Sequence, residues 1–156
     1  MKKGIIALMV FAGVTAMFSS CIKNGPMVTT ITPSMTANIG SYNFTAARIV
    51  PSTLDSQVND TSTTLIITGN SNDQAYPRDK MVLVINNYRG VTGLFSMAQG
   101  YAHAYYLHSG VRSDAAGGIV SITKITPNSI IGYFSFTTVD DQAITDGNFN
   151  VGKPGM

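Results

Sequence analysis

The sequence predicts an all-β fold, an antiparallel β-sandwich or barrel of about eight to nine short strands. Residue usage is the first reason, because all eight acidic residues are Asp, Glu is absent and Leu is scarce. Glu and Leu favour helices. The second reason is the pattern along the chain, where short runs rich in β-branched and aromatic residues are separated by clusters of turn residues. No heptad repeat and no βαβ spacing competes with this interpretation.

The expected strands begin after residue 33 and are bounded by turn residues. Gly40-Ser41 favours a hairpin between the first two strands. The unbroken apolar run from Met81 to Ile85 predicts a strand that is covered on both faces, and Gly132 would allow a bend or a bulge. Strands are predicted at 34–39, 42–50, 63–68, 80–86, 91–97, 101–107, 119–125, 129–138 and 148–151. Irregular segments are predicted at 51–62, 69–78 and 109–118, with a turn at Asp146-Gly147.

The first twenty residues have the features of an export signal. Lys2 and Lys3 supply a positive start, and an apolar run of about 15 residues follows them. A transmembrane helix needs roughly 20 apolar residues. We therefore predict a signal peptide at 1–20, forming a helix, then a tether at 21–33 and a β domain at 34–156. Fully extended, the tether reaches at most about 40 Å.

Cys21 is the only cysteine of the chain. With Phe18, Ser19 and Ser20 it forms a tetrapeptide that resembles the lipobox of bacterial lipoproteins. The resemblance implies that Cys21 carries acyl chains, such as palmitate, and becomes the mature N-terminus. Stable membrane anchoring takes two such chains or one chain with a second signal. The alternative is an ordinary secretory signal followed by a cysteine that is there by chance.

Removal of residues 1–20 changes the charge of the protein. The whole chain carries ten basic and eight acidic residues, and two of the basic residues, Lys2 and Lys3, belong to the signal. The mature chain is therefore close to neutral and lacks the basic excess typical of nucleic-acid binding. Without a second cysteine, the fold depends on apolar burial and on hydrogen bonds between strands.

Several segments of the β domain share a pattern of strand and turn residues with one group of proteins. The segments are 35–46, 65–69, 118–124, 130–136 and 144–151. In this order they resemble a family of small Bacteroidota lipoproteins with a β-rich domain. The resemblance implies a lipid-anchored β domain of the bacterial outer membrane and implies no particular activity. Residues 22–25 carry no acidic residue of the kind that accompanies surface export in that phylum, so the periplasmic and the surface side both stay open.

The sequence contains no recognisable catalytic arrangement. There is no G-x-S-x-G elbow for a serine nucleophile, and nothing singles out two Asp residues as a carboxylate pair. His103 and His108 are five residues apart, which places them on opposite faces of a strand and prevents them from sharing a metal ion. We therefore expect a protein that is not an enzyme and has no cofactor.

Asp146, Asn148 and Asn150 have the spacing that opens a calcium-binding loop. The glycine expected at the sixth position is Val151, and no Glu is present to close such a loop. The three residues are thus a weak calcium candidate. The alternative is an exposed strand face that follows a turn.

The segment from Tyr101 to Tyr105 holds the candidate ligand-binding residues. With a period of two, Tyr101, His103 and Tyr105 share one face of a strand, and Ala102 and Ala104 share the other. An aromatic face of this kind suits a glycan or a small apolar ligand. The competing hypothesis is that these rings fill the core of the sandwich or barrel.

Taken together, the sequence predicts a lipid-anchored, non-catalytic lipoprotein of the cell envelope that acts as a binding or accessory module. Its expected partners are the membrane, through the anchor, and an unidentified protein or small ligand. Nucleic acid is not expected. The alternatives are a small envelope hydrolase whose site is not visible in the sequence and a purely structural envelope component.

Overall fold

The computed structural model describes residues 32–50, 54–56, 63–71 and 79–153. The predicted signal peptide, Cys21 and most of the tether lie outside these residues. The described residues include no helix that could cross a membrane. They form strands β1 (Ser34–Ile39), β2 (Tyr42–Val50), β3 (Leu54–Ser56), β4 (Thr63–Ser71), β5 (Lys80–Ile85), β6 (Gly93–Ser96), β7 (Ala102–His108), β8 (Val111–Ile125), β9 (Ser129–Thr138) and β10 (Ala143–Gly152).

Eight of these strands close into an antiparallel barrel. The order is β1-β10-β9-β8-β7-β5-β4-β2, and the barrel closes because β2 pairs with both β1 and β4. β3 pairs with the first residues of β4. It lies on the same edge of β4 as β2, which pairs with the last residues, while β5 pairs with the other edge. β6 pairs with Ile119–Ile122 of β8. The all-β prediction is confirmed, and of the two architectures considered the structure shows a barrel.

The two ends of the barrel can be told apart by the strands that begin and the turns that lie there. β1 begins at Ser34, opposite Asn150 near the end of β10. We call this end the tether end, because residues 32 and 33 lead into it. The turn between β1 and β2, the Ser109-Gly110 turn between β7 and β8 and the turn between β9 and β10 lie at the opposite end, which we call the far end.

Alternate residues of the eight strands point into the barrel and fill it with apolar side chains. On β9, Ile130, Phe134 and Phe136 belong to this inner set and are at most 3% exposed. The Phe134 ring stacks on Phe149 of β10 at a centroid distance of 6.5 Å. The other fully buried large side chains are Phe44, Met35, Leu65, Ile67, Met81, Leu83, Ile85, Ile122, Ile144 and Val120.

β5 is buried on more than its inner face, as its apolar run predicts. Met81, Leu83 and Ile85 point inward and are fully buried. Val82 lies on the opposite face and is still only 3% exposed. Val84 is half-buried, so the outer covering extends over only part of this strand.

Glycines allow two close approaches between strands. A Cβ atom on Gly132 would collide with the carbonyl oxygen of Ser121 and with the ring of Phe149, which is its partner on β10. The expected irregularity near Gly132 falls on the neighbouring strand, where Thr123 is an extra residue between Ile122 and Lys124. Such bulges and glycines bend strands and so help a sheet to close into a barrel.

In each of the three segments predicted to be irregular, the structure contains strand residues, and there the prediction is wrong. Residues 111–118 belong to β8 although most of them are polar or small, because 111–114 pair with β7 and Ala115, Gly117 and Gly118 pair with β9. Residues 69–71 extend β4 through their pairing with β2. The short strand β3 lies within the segment 51–62. In each case the partner strand, rather than the local composition, decides the structure.

The expected turn at Asp146-Gly147 is also wrong, because β10 continues through it. The register of β10 shifts by one residue against both β1 and β9 at this point. Asp146 has φ 51, which is left-handed backbone that Asp adopts more readily than most residues. The turn-like residues therefore form a β-bulge inside one long strand.

Candidate functional site

The outer face of β7, continued by Tyr101 directly before the strand, carries the aromatic residues that the sequence singles out. Tyr101 is 52% exposed, His103 is exposed and Tyr105 is half-buried. Ala102 and Ala104 point inward and are buried. The predicted alternation is therefore correct, and the hypothesis that these three rings fill the core is wrong.

The position of β7 explains how these side chains are presented. β7 pairs with β5 along its whole length and with β8 only near the far end. His103 stands opposite Val84 and Tyr105 opposite Val82, so the rings lie over an apolar part of the outer surface. From Tyr101 to Tyr105 the face extends for about 14 Å at the usual rise of a strand.

A residue from β8 completes this face. The guanidinium carbon of Arg112 lies 4.0 Å from the centroid of the Tyr105 ring, within the range of a cation–π contact. Asp114 Oδ1 accepts a hydrogen bond of 2.8 Å from Arg112 Nε. This hydrogen bond with Asp114 raises the pKa of Arg112, so the group on the ring is a permanent cation.

We call Tyr101, His103, Tyr105, Arg112 and Asp114 the β7 outer face. It offers exposed ring area, a guanidinium with further N–H donors and a carboxylate acceptor. The sequence pattern alone does not reveal Arg112 and Asp114 as members, because their segment is predicted as a loop. Their register beside β7 brings them together with the rings.

A second group of polar side chains lies at the far end of the barrel, around Asp79. The side chain of Asp79 is fully buried. Its Oδ2 accepts a hydrogen bond from the Tyr106 hydroxyl and lies 3.0 Å from His108 Nδ1. Its Oδ1 accepts a 3.1 Å hydrogen bond from the backbone N–H of Ser109. The Asp79 carbonyl accepts another, of 2.8 Å, from the backbone N–H of Ser71.

These contacts join the end of β4, the start of β5, the end of β7 and the turn that follows it. The Tyr106 ring packs edge-on against Phe44 in the interior, at a centroid distance of 6.3 Å. A carboxylate beside an imidazole is also the unit that orients a general base in many enzymes. Because the hydrogen bonds of Asp79 join neighbouring strand ends, we interpret the Asp79 cluster as a clamp that closes the far end.

Little in the sequence predicts this cluster. Asp79 stands at the end of a polar segment, directly before the apolar run of β5. Tyr106 and His108 occupy alternate positions of β7, which is the only hint that they share a face. The predicted separation of the two histidines is correct, since His103 points outward and His108 reaches the buried carboxylate.

The calcium candidates lie along β10 and do not form a loop. Asp146 Oδ2 accepts a 2.9 Å hydrogen bond from Asn38 Nδ2, and Asn148 Nδ2 donates to the Asp146 carbonyl at 2.7 Å. The side-chain oxygen of Asn150 is buried and accepts no hydrogen bond within the described part of the chain. Among the described residues, no three His, Cys, Asp or Glu side chains gather into a group that could hold a metal ion. Calcium binding by these residues stays a prediction.

Comparison with known proteins adds no functional assignment to this geometry. No protein-family model, no curated protein and no solved structure matches the chain.

Proposed function

We propose that this protein is a lipid-anchored, non-catalytic binding module of the bacterial cell envelope, attached through Cys21 and binding its ligand on the β7 outer face. The outward direction of Tyr101, His103 and Tyr105 carries the proposal. Exposed aromatic rings are costly to leave in water and are enriched where proteins bind partners. The barrel interior, in contrast, is filled by apolar side chains from its own strands.

A glycan is the ligand class that suits this face best. The flat ring of an exposed Tyr packs against the C–H face of a sugar, and Arg112 and Asp114 supply a donor and an acceptor for hydroxyl groups. Small apolar ligands are usually enclosed in concave pockets, whereas the β7 outer face lies on the convex outside of a barrel. The same argument supports a binding role over a purely structural one.

A hydrolase would have its general base at His108. We favour binding because the carboxylate that orients this imidazole is also tied to Tyr106 and to the Ser109 backbone. That arrangement fixes strand ends and accounts for the buried carboxyl group without any reaction. The Asp79 cluster is therefore assigned to the fold rather than to the proposed ligand site.

The Cys21→Ser variant tests the anchor. We expect the wild-type protein to stay with the membrane fraction at high salt and to carry a lipid mass at its N-terminus, because two acyl chains bury many CH₂ groups at about 0.8 kcal/mol each. The variant should lack that mass and leave the membrane. Fractionation and intact mass spectrometry measure both. A variant that stays in the membrane fraction with an unchanged mass would show that Cys21 is not the anchor.

The Tyr101→Ala variant tests the ligand face. The chain has no Trp, so tyrosine fluorescence reports directly on added ligand. We expect the wild type to respond to one or more members of a panel of envelope glycans. Loss of one stacked ring should weaken that binding about fivefold to tenfold, the usual worth of a partly exposed aromatic contact.

Tyr133→Ala is the matched control, because Tyr133 is 42% exposed on β9 and lies outside the β7 outer face. It should leave the affinity for the glycan unchanged. Equal losses in the two variants, or a wild type that responds to lipids and not to any glycan, would contradict the proposed ligand class.

A further inference from the structure

Basic residues gather at the tether end of the barrel. Arg89 is exposed in the loop that follows β5, Lys124 is exposed near the end of β8, and Lys153 directly follows β10. The backbone N–H of Lys153 donates to the Asn128 carbonyl at 3.1 Å, which places it beside the loop between β8 and β9. Three exposed cations from three separate segments therefore share one end.

Asp55 of β3, opposite Thr64 at the start of β4, is the one acidic residue that the described strands place at the same end. Val91, which is 53% exposed, adds apolar surface two residues after Arg89.

The far end has the opposite charge. The acidic residues that the structure describes there are Asp79, which is buried, and the exposed Asp114, Asp140, Asp141 and Asp146. Within the described residues, the basic residues of that end are Lys80 and Arg112, and Arg112 is already paired with Asp114. Counted over the residues that the structure describes, the two ends of the barrel therefore carry net charges of opposite sign.

We infer that the tether end docks on an anionic phospholipid surface and holds the barrel upright, with the far end directed away from the membrane. This inference rests on the proposed lipid anchor. A lipid on Cys21 would fix where the chain is attached and not which end of the barrel faces the bilayer. Basic side chains held within a Debye length of anionic headgroups are attracted to them, and the acidic far end is repelled.

The expected strength follows from the number of cations. Each Lys or Arg near an anionic membrane surface shifts the balance between docked and undocked barrel by roughly fivefold, so Arg89, Lys124 and Lys153 together contribute on the order of 100-fold. The effect should weaken as salt is added, because the charges are exposed and screened.

The orientation can be measured on the full lipidated chain. Cys21 is the only cysteine and is occupied by lipid in the proposed anchor, so one introduced cysteine gives a single position for a fluorophore. Asn128→Cys places the label at the tether end, and Gln142→Cys places it at the far end. Vesicles contain either phosphatidylcholine alone or phosphatidylcholine mixed with phosphatidylglycerol, with a spin-labelled headgroup lipid as quencher.

We expect the label at position 128 to be quenched strongly in the anionic vesicles and weakly in the neutral ones, and the label at 142 to be quenched weakly in both. Adding salt, or combining Arg89→Gln, Lys124→Gln and Lys153→Gln, should remove the difference at 128. Within a matched pair of single substitutions, Lys124→Gln should reduce the quenching and Lys80→Gln at the far end should not.

The possible failures are distinguishable. A wild type that floats with neither kind of vesicle would overturn the anchor and this inference with it. If the lipidated Asn128→Cys protein floats with both kinds of vesicle and its label is quenched equally in both, the anchor stays intact and the docking is overturned. If the triple variant does not fold, the salt titration on the wild type separates docked from undocked barrel in its place.

Discussion

Replacement of Gly118 by Ala should destabilise the barrel by about 3 kcal/mol or more. Gly118 has φ 149, a backbone conformation that residues with a Cβ rarely adopt. A Cβ atom there would collide with the Ser135 carbonyl of β9 and lie 2.6 Å from the Cα of Phe136. Both neighbours are backbone atoms of a paired strand, so β8 and β9 would have to move apart. Urea unfolding followed by circular dichroism measures the loss.

The adjacent glycine is the control for this prediction. A Cβ atom on Gly117 would meet nothing within 4 Å, and Gly117 is not among the residues with positive φ. Gly117→Ala should therefore change the free energy of unfolding by less than about 1 kcal/mol, or raise it slightly through the unfolded state. If the two variants unfold at the same urea concentration, the close approach of β8 and β9 at Gly118 is wrong.

Asp79→Ala should cost about 3 kcal/mol of unfolding free energy. The substitution removes a buried carboxylate and leaves the Tyr106 hydroxyl and the Ser109 N–H without the acceptor that they use in the native barrel. Removing one partner from a buried, hydrogen-bonded network typically costs this much, because the remaining polar groups stay desolvated. Chemical unfolding measures the loss, and hydrogen exchange at Ser109 should quicken as its N–H loses its acceptor.

Asp114→Ala provides the comparison, since Asp114 also contacts a basic side chain but is 55% exposed. Exposed ion pairs contribute little, so this variant should lose less than about 1 kcal/mol. If Asp79→Ala lowers the free energy of unfolding no more than Asp114→Ala does, the interpretation of the Asp79 cluster as a clamp is wrong.

The strands that were predictable from the sequence are those whose own residues carry the pattern. β9 is rich in β-branched and aromatic residues, and β5 is an unbroken apolar run, so both are recognised and nearly correctly bounded. The first half of β8 holds mainly charged and small residues, and its strand conformation comes from hydrogen bonds to β7 and β9. A partner strand is not visible in local composition.

The candidate site was predictable only in part for a related reason. Alternation shows which side chains of β7 share a face, but both faces carry an aromatic ring, with Tyr106 on the inner one. The phenylalanine rings of other strands already occupy the interior, so β7 contributes Ala102 and Ala104 there and directs Tyr101 and His103 outward. Which side chains of β7 fit into the interior therefore depends on the side chains of all the other strands.

The pairing of β1 with β10 has a consequence for how the chain folds. Their paired residues, such as Met35 and Phe149, lie on the order of a hundred residues apart. β1 can form a hairpin with β2 early, but its other edge has no native partner until β10 has been made. An unpaired edge invites wrong pairing with other chains. During synthesis the emerging chain therefore passes through a stage in which aggregation is a hazard, and only completion of β10 ends that stage.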